Sequence, residues 1–226
     1  MNWEVIVDSL PQLAEGALLT IELVAIAVVL GLALAIPIAL GRVARQPWLR
    51  AGPFAYIFFF RGTPLLTQIF LVYYGFSQFE TIRESVLWPI LSEAYWCAII
   101  AFTLNTAEYT AEILRGAIQA VPSGEVEAAK AIGMGRWMRL RRIVLPRAFR
   151  IALPAYSNEV ILMLKGSALA STITLLDLTG MARTIIARTY MPIELFLAAG
   201  VFYLAITAVI LQGFRFVEKR LHGTEG

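Results

Sequence analysis

Cysteine and histidine are almost missing from this 226-residue chain, which has Cys97 and His222 and no others. A disulfide within the chain is therefore excluded, and the usual His/Cys zinc cluster lacks its ligands, so no metal site is expected. An intramembrane Ser/His pair would need a histidine at membrane depth, whereas His222 follows the last apolar run. Charge is scarce as well: 15% of residues are Asp, Glu, Lys or Arg against 59% hydrophobic, and mean hydropathy is +0.72. Water-soluble domains are seldom so poor in charge. No Gly-x-x-x-x-Gly-Lys-Ser/Thr loop is present, since Lys165-Gly166-Ser167 has the wrong order and no glycine-rich lead. The chain thus reads as neither an enzyme nor a nucleotide binder, and no cofactor is expected on it. The first fifteen residues contain no base, so a cleavable signal is not evident.

What is present is a set of long apolar runs. A bilayer core needs about 20 apolar residues per helix. Five runs approach this length: 17–40, 53–74, 95–114, one from Ile151 with a far end blurred by Lys165-Gly166-Ser167, and 193–211. All should be helical, because lipid offers no partner to open backbone groups. Bases mark the cytoplasmic side. Arg42, Arg45 and Arg50 follow the first run, a string from Arg115 to Arg150 follows the third, and Arg215, Lys219 and Arg220 follow the fifth. The opposite side has Glu4, Asp8 and Glu15 without a base, and Glu80, Glu84 and Glu93 against Arg83. The expectation is an all-α membrane protein of five transmembrane helices, N-terminus outside and C-terminus cytoplasmic. Residues 1–16, with Trp3, Ile6, Val7, Leu10 and Leu13 at helical spacing, read either as an amphipathic helix on the outer surface or as an ordinary helix start. Residues 165–191 are too polar for a simple span and are left unplaced.

Ionisable groups inside spans cost a few kcal/mol each and normally face a protein interior or a wet cavity. Asn105, Glu108, Tyr109 and Glu112 fall at i, i+3, i+4 and i+7, one stripe of the third helix. Ser157, Asn158 and Glu159 lie about two turns into the fourth. Arg61 precedes Pro64, which removes a backbone donor to the Phe60 carbonyl. These groups are read as a midplane site: Glu108 and Glu159 favour a cationic side chain, Asn105, Ser157 and Asn158 add polar contacts, and Arg61 or nearby helix-end amides take a substrate carboxylate. The competing reading has Arg61 pair with Glu108 or Glu112 to brace the bundle. Glu22, Asp177 and Glu194 read as edge residues.

The segment 121–146 reads as two helices with a hinge. Ser123 is a candidate N-cap, Gly133 can take the left-handed turn that stops the first helix, and Pro146 marks the end of the second. Here a resemblance becomes specific. Glu127-Ala128-Ala129, three residues, Gly133, nine residues, Ile143, one residue and Leu145-Pro146 resemble the EAA loop of ABC importer permeases. Arg61-Gly62-Thr63-Pro64-Leu65-Leu66, Leu104 to Tyr109 and Leu153 to Met163 narrow the likeness to polar amino-acid permeases, most like the M-type subunits of histidine/lysine/arginine/ornithine and octopine/nopaline importers.

That resemblance implies a MetI-like fold as one permease domain over 1–226, in the cell inner membrane. It implies two cytoplasmic ATPase subunits that hold ATP and Mg, a second permease subunit, paralogue or identical copy, and an extracytoplasmic amino-acid-binding protein. Nucleic acid has no place in this scheme. In that family the EAA loop inserts into a groove of the ATPase, and small Ala128 and Ala129 would allow close packing there. The alternative is a self-sufficient secondary carrier or channel, which would carry its own coupling-ion site and often two repeated halves, neither evident here.

Overall fold

The computed structural model describes residues 2–222, the side chain of His222 lying outside that description. Every regular element among the described residues is helical. Helix α1 (Trp3–Arg42) is capped by Asn2, whose side chain accepts from the Glu4 amide. It runs unbroken for 40 residues, about 60 Å at 1.5 Å per residue, or twice a bilayer core. Residues 3–16 therefore continue directly into the first span, and Leu13 is fully buried.

The second apolar run does not form one rod. Helix α2 (Pro47–Gly62) and α3 (Leu65–Phe70), which continues through a π turn at Leu71–Gly75 and a 3-10 turn at Phe76–Gln78, meet at a 105° bend. Pro64 explains the break, because the residue before proline is forced from helical to extended backbone, and Thr63 has φ −118°, ψ 139°. Two short helices, α4 (Glu80–Arg83) and α5 (Trp88–Leu91), lead into α6 (Ala94–Gln119).

Helix α7 (Ser123–Ala131) and α8 (Arg136–Arg139) flank Gly133 as expected, but two details differ. Pro122, not Ser123, is the cap position, and no side chain caps the helix. Pro146 does not end a helix: a π turn at Leu140–Val144 carries α8 into α9 (Leu145–Gly166), with Pro146 in the first turn of α9. Proline is tolerated there because the π turn just ahead of it has already interrupted the regular i→i+4 pairing.

The unplaced stretch resolves into a 3-10 extension of α9 (Ser167–Ile173), a left-handed residue at Thr174 (φ 71°), and α10 (Leu178–Thr189), bent 48° from the preceding rod. Asp177 is fully buried, and its carboxylate accepts from the Thr179 and Gly180 amides as the N-cap of α10. Helix α11 (Pro192–His222) closes the fold.

Helices α1 and α11 are long and apolar enough to cross a membrane by themselves, and each bent pair is so when counted as one span. Helix α6 packs along α1 with Cys97, Ala98, Ala101, Ala107 and Ala111 buried, small side chains that let helices approach in lipid. Gly31 sets the closest point: a Cβ there would stand 2.3 Å from Thr106 Cγ2, so only glycine lets α1 pass Thr106.

Candidate functional site

Helix α6 carries the polar stripe, and its neighbours decide what each member can do. Asn105 donates through Nδ2 to Gln68 Oε1 at 3.0 Å. Gln68 in turn donates through Nε2 to the carbonyls of Phe60 (2.8 Å) and Thr63 (3.0 Å), the groups exposed by the break in front of Pro64. The missing proline donor is thus replaced by a side chain from one turn further on. Gln68 was not singled out by sequence reasoning, yet the signal was there: it is the lone amide of the second run, as Asn105 is of the third. Gln68→Leu strands a buried amide and two carbonyls at about 1–3 kcal/mol each. The expected result is a clear drop in the thermal unfolding midpoint of the detergent-solubilised protein; an unchanged midpoint would show that the break needs no such plug.

Glu159 of α9 is 4% exposed and accepts from Thr106 Oγ1 at 3.1 Å, on the side chain whose methyl Gly31 makes room for. Glu108 is 0% exposed, and neither of its oxygens has a hydrogen-bond partner in the described structure. The Thr103 and Thr110 hydroxyls on the same helix are likewise unpartnered. A buried carboxylate with no partner is rare in a folded protein and calls for a functional explanation. Tyr56 closes α2 onto this stretch by donating its hydroxyl to the Leu104 carbonyl at 2.6 Å. Ser157 is buried, whereas Asn158 and Arg61 are exposed. The structure thus gathers Asn105, Glu108, Ser157 and Glu159 in the interior and leaves the other two at its surface.

Arg61 makes no hydrogen bond or salt bridge among the described residues; it lines a cavity of about 350 Å³ with Arg42, Phe58 and Glu112. Glu112 is instead held by Arg42 (3.3 Å, from α1) and Arg115 (2.9 Å), while the Arg61 charge acts on Glu108 without a contact ion pair. At the other end of α6, the Tyr95 hydroxyl donates to Glu22.

A second candidate region is the turn between α7 and α8. Gly133 has φ +81°, a backbone that L side chains rarely adopt, and its amide bonds the Lys130 carbonyl at 2.9 Å. Glu127 and Ala128 are exposed, but Ala129 is 4% exposed and packs inward, so only Ala128 offers a small outward surface, against the expectation for both. Ile132 (74% exposed) and Trp137 (70% exposed) flank Gly133, an apolar surface that sequence reasoning passed over. Arg147 and Glu125 bridge α9 and α7 at 3.4 Å, while Ile143 and Leu145 are half-buried at the root of α9 and Pro146 is exposed.

Comparison with known proteins gives this geometry its context. The chain is 49% identical over 219 residues to the octopine transport system permease protein OccM of Rhizobium meliloti, covering 97% of this chain and 88% of that one. It is 45% identical over 211 residues to the nopaline permease NocM of Agrobacterium fabrum, covering 93% and 88%. With the histidine/lysine/arginine/ornithine permease HisM of Escherichia coli K12 it shares 44% over 206 residues, covering 91% and 87%. Its fold matches the crystal structure of an amino acid ABC transporter with histidines at TM-score 0.86 and 32% identity, over 97% of this chain and 99% of that chain. The methionine transporter MetNI in an inward-facing form matches at TM-score 0.80 and 16% identity, over 95% and 98%, a likeness of fold alone. Residues 17–223 match the binding-protein-dependent transport system inner membrane component family, and the chain belongs to that family.

Proposed function

We propose that this chain is one of two permease subunits of an ATP-driven importer of basic amino acids or related opines, set in the inner membrane with its N-terminus outside and its C-terminus in the cytoplasm. The observation that carries the cargo class is Glu108, a carboxylate fully buried without a hydrogen-bond partner, one helix away from the buried Glu159. Two acids at membrane depth favour a cation between them. In this reading Glu108 and Glu159 receive the cationic side chain and Asn105, Ser157 and Asn158 add polar contacts. Arg61, which forms no hydrogen bond or salt bridge among the described residues, takes the carboxylate bidentately. The cargoes in the names of the relatives, octopine, nopaline and the basic amino acids with histidine, suit such a site.

Five crossings are assigned to α1, the bent α2–α3 pair, α6, α9 with its 3-10 extension, and α11. The bases after Arg42, around α8 and after Arg215 then fall on one side, as the positive-inside rule requires. On that side the α7–α8 turn docks on the ATPase through Glu127, Ala128 and Gly133. Ala129 holds α7 from beneath, and Ile143, Leu145 and Pro146 pass the motion to α9. ATP and Mg belong to two separate ATPase subunits. A second permease subunit, read as a paralogue, and a soluble binding protein on the outer face complete the assembly. ATP-driven closure of the ATPases swings the spans between inward-open and outward-open forms, which is how sealed Glu108 gains access to water.

The test is uptake of labelled arginine into proteoliposomes that hold the assembled subunits. Uptake should require ATP and the ATPase subunits and persist when ion gradients are collapsed. Uptake by this chain without ATPases, driven by an ion gradient, would make it a secondary carrier.

A further inference from the structure

Away from the buried acids, a second polar cavity of about 280 Å³ is lined by Arg45 and Gln46, from the turn between α1 and α2, and by Arg136 and Arg139 of α8. Three guanidiniums converge there with no acid in the lining, and none of the three forms a salt bridge among the described residues. Arg139 is held in place, its Nη1 donating to the Met134 carbonyl at 2.8 Å. Like charges gathered in one cavity repel, and an anion between them reverses the sign of that interaction. The surroundings set the depth. Trp48, 73% exposed, follows Pro47 in the first turn of α2, two residues from Gln46, and Trp137, 70% exposed, lies between the two arginines of α8. Exposed tryptophans beside a cluster of arginines are the signature of the headgroup level of a bilayer, where basic pockets take anionic lipids.

We propose that this cavity binds the headgroup phosphate of an anionic phospholipid, with the acyl chains lying against Trp48 and Trp137. The inference rests on the membrane orientation proposed above. A lipid seated there ties the α1–α2 turn to the α7–α8 turn, and so makes transport responsive to the anionic content of the inner leaflet.

The experiment uses the complete transport complex in nanodiscs of phosphatidylcholine with or without phosphatidylglycerol. Native mass spectrometry counts retained phosphatidylglycerol, and ATP hydrolysis is measured in parallel. Wild type should retain phosphatidylglycerol and be stimulated by it. The triple variant Arg45→Gln, Arg136→Gln, Arg139→Gln should bind it roughly a hundredfold more weakly and lose the stimulation. Equal retention by variant and wild type overturns the proposal. So does a variant that sheds its ATPase subunits yet keeps its lipid, which would assign the arginines to a protein contact. Displacement of the lipid by excess inorganic phosphate, with stimulation intact, would make the site one for free anions and overturns it too. A complex that never hydrolyses ATP in response to cargo fails as an importer, and the retention measurement is unaffected by that failure.

Discussion

Arginine uptake should fall about 30-fold or more when Glu159 is replaced by glutamine, chiefly as a raised KM. Losing one charge of a buried ion pair costs about 2 kcal/mol or more, and each 1.4 kcal/mol is tenfold. Glutamine has the same shape, and its carbonyl can still accept from Thr106 Oγ1, which lies 3.1 Å from Glu159 Oε1. The fold and the α6–α9 contact therefore persist, and citrulline, the neutral analogue of arginine, should be handled alike by variant and wild type. An unchanged arginine KM in the variant would remove Glu159 from the site.

The second large effect belongs to Gly133. Its φ of +81° costs an L residue roughly 1–2 kcal/mol, and a leucine would relieve the strain by shifting the turn that separates α7 from α8. The chain itself has room for the side chain, since nothing lies within 4 Å of a Cβ built there, so insertion and internal packing should survive. What is lost is the shape of the exposed surface formed with Ala128 and Ile132. ATP-driven uptake by Gly133→Leu should drop to background while the chain reaches the membrane in normal amounts. Gly133→Asn should retain most of the activity, because asparagine tolerates left-handed backbone. A fully active leucine variant would show that this turn does not transmit the motion of the ATPase.

Helices whose faces are set by composition were legible in the sequence. The first, third and last apolar runs reappear as α1, α6 and α11, because a run of apolar residues at helical length has one answer in lipid. The exposed stretch 121–146 was legible through its punctuation at Gly133, where a single residue type suits the backbone. Prolines were read less well. Pro64 was seen to cost a hydrogen bond, but the 105° bend and its repair by Gln68 depend on which side chain can reach the Phe60 carbonyl, a matter of three dimensions. Pro146 looked like a terminator and is instead absorbed at the head of α9 behind a π turn.

Among the polar residues, sequence could single out Glu108 and Glu159 but not say that one accepts a hydrogen bond and the other is buried without one. It could not foresee Thr106 as the partner of Glu159, since Thr106 lies on α6 and is accommodated only because residue 31 of α1 is glycine. Residues 165–191 stayed unreadable because their regular structure comes from capping by Asp177 and from packing on α1 and α11 rather than from an apolar run.

A cationic cargo held between Glu108 and Glu159 is the core of the proposed function. Electron cryomicroscopy of the complete complex with arginine tests it most directly. Guanidinium density is expected within hydrogen-bonding range, about 2.7–3.2 Å, of both carboxylates, with α2 drawn back from Leu104 so that Glu108 is no longer sealed. Arginine found elsewhere in the spans, with Glu108 still buried and unpartnered, would contradict it.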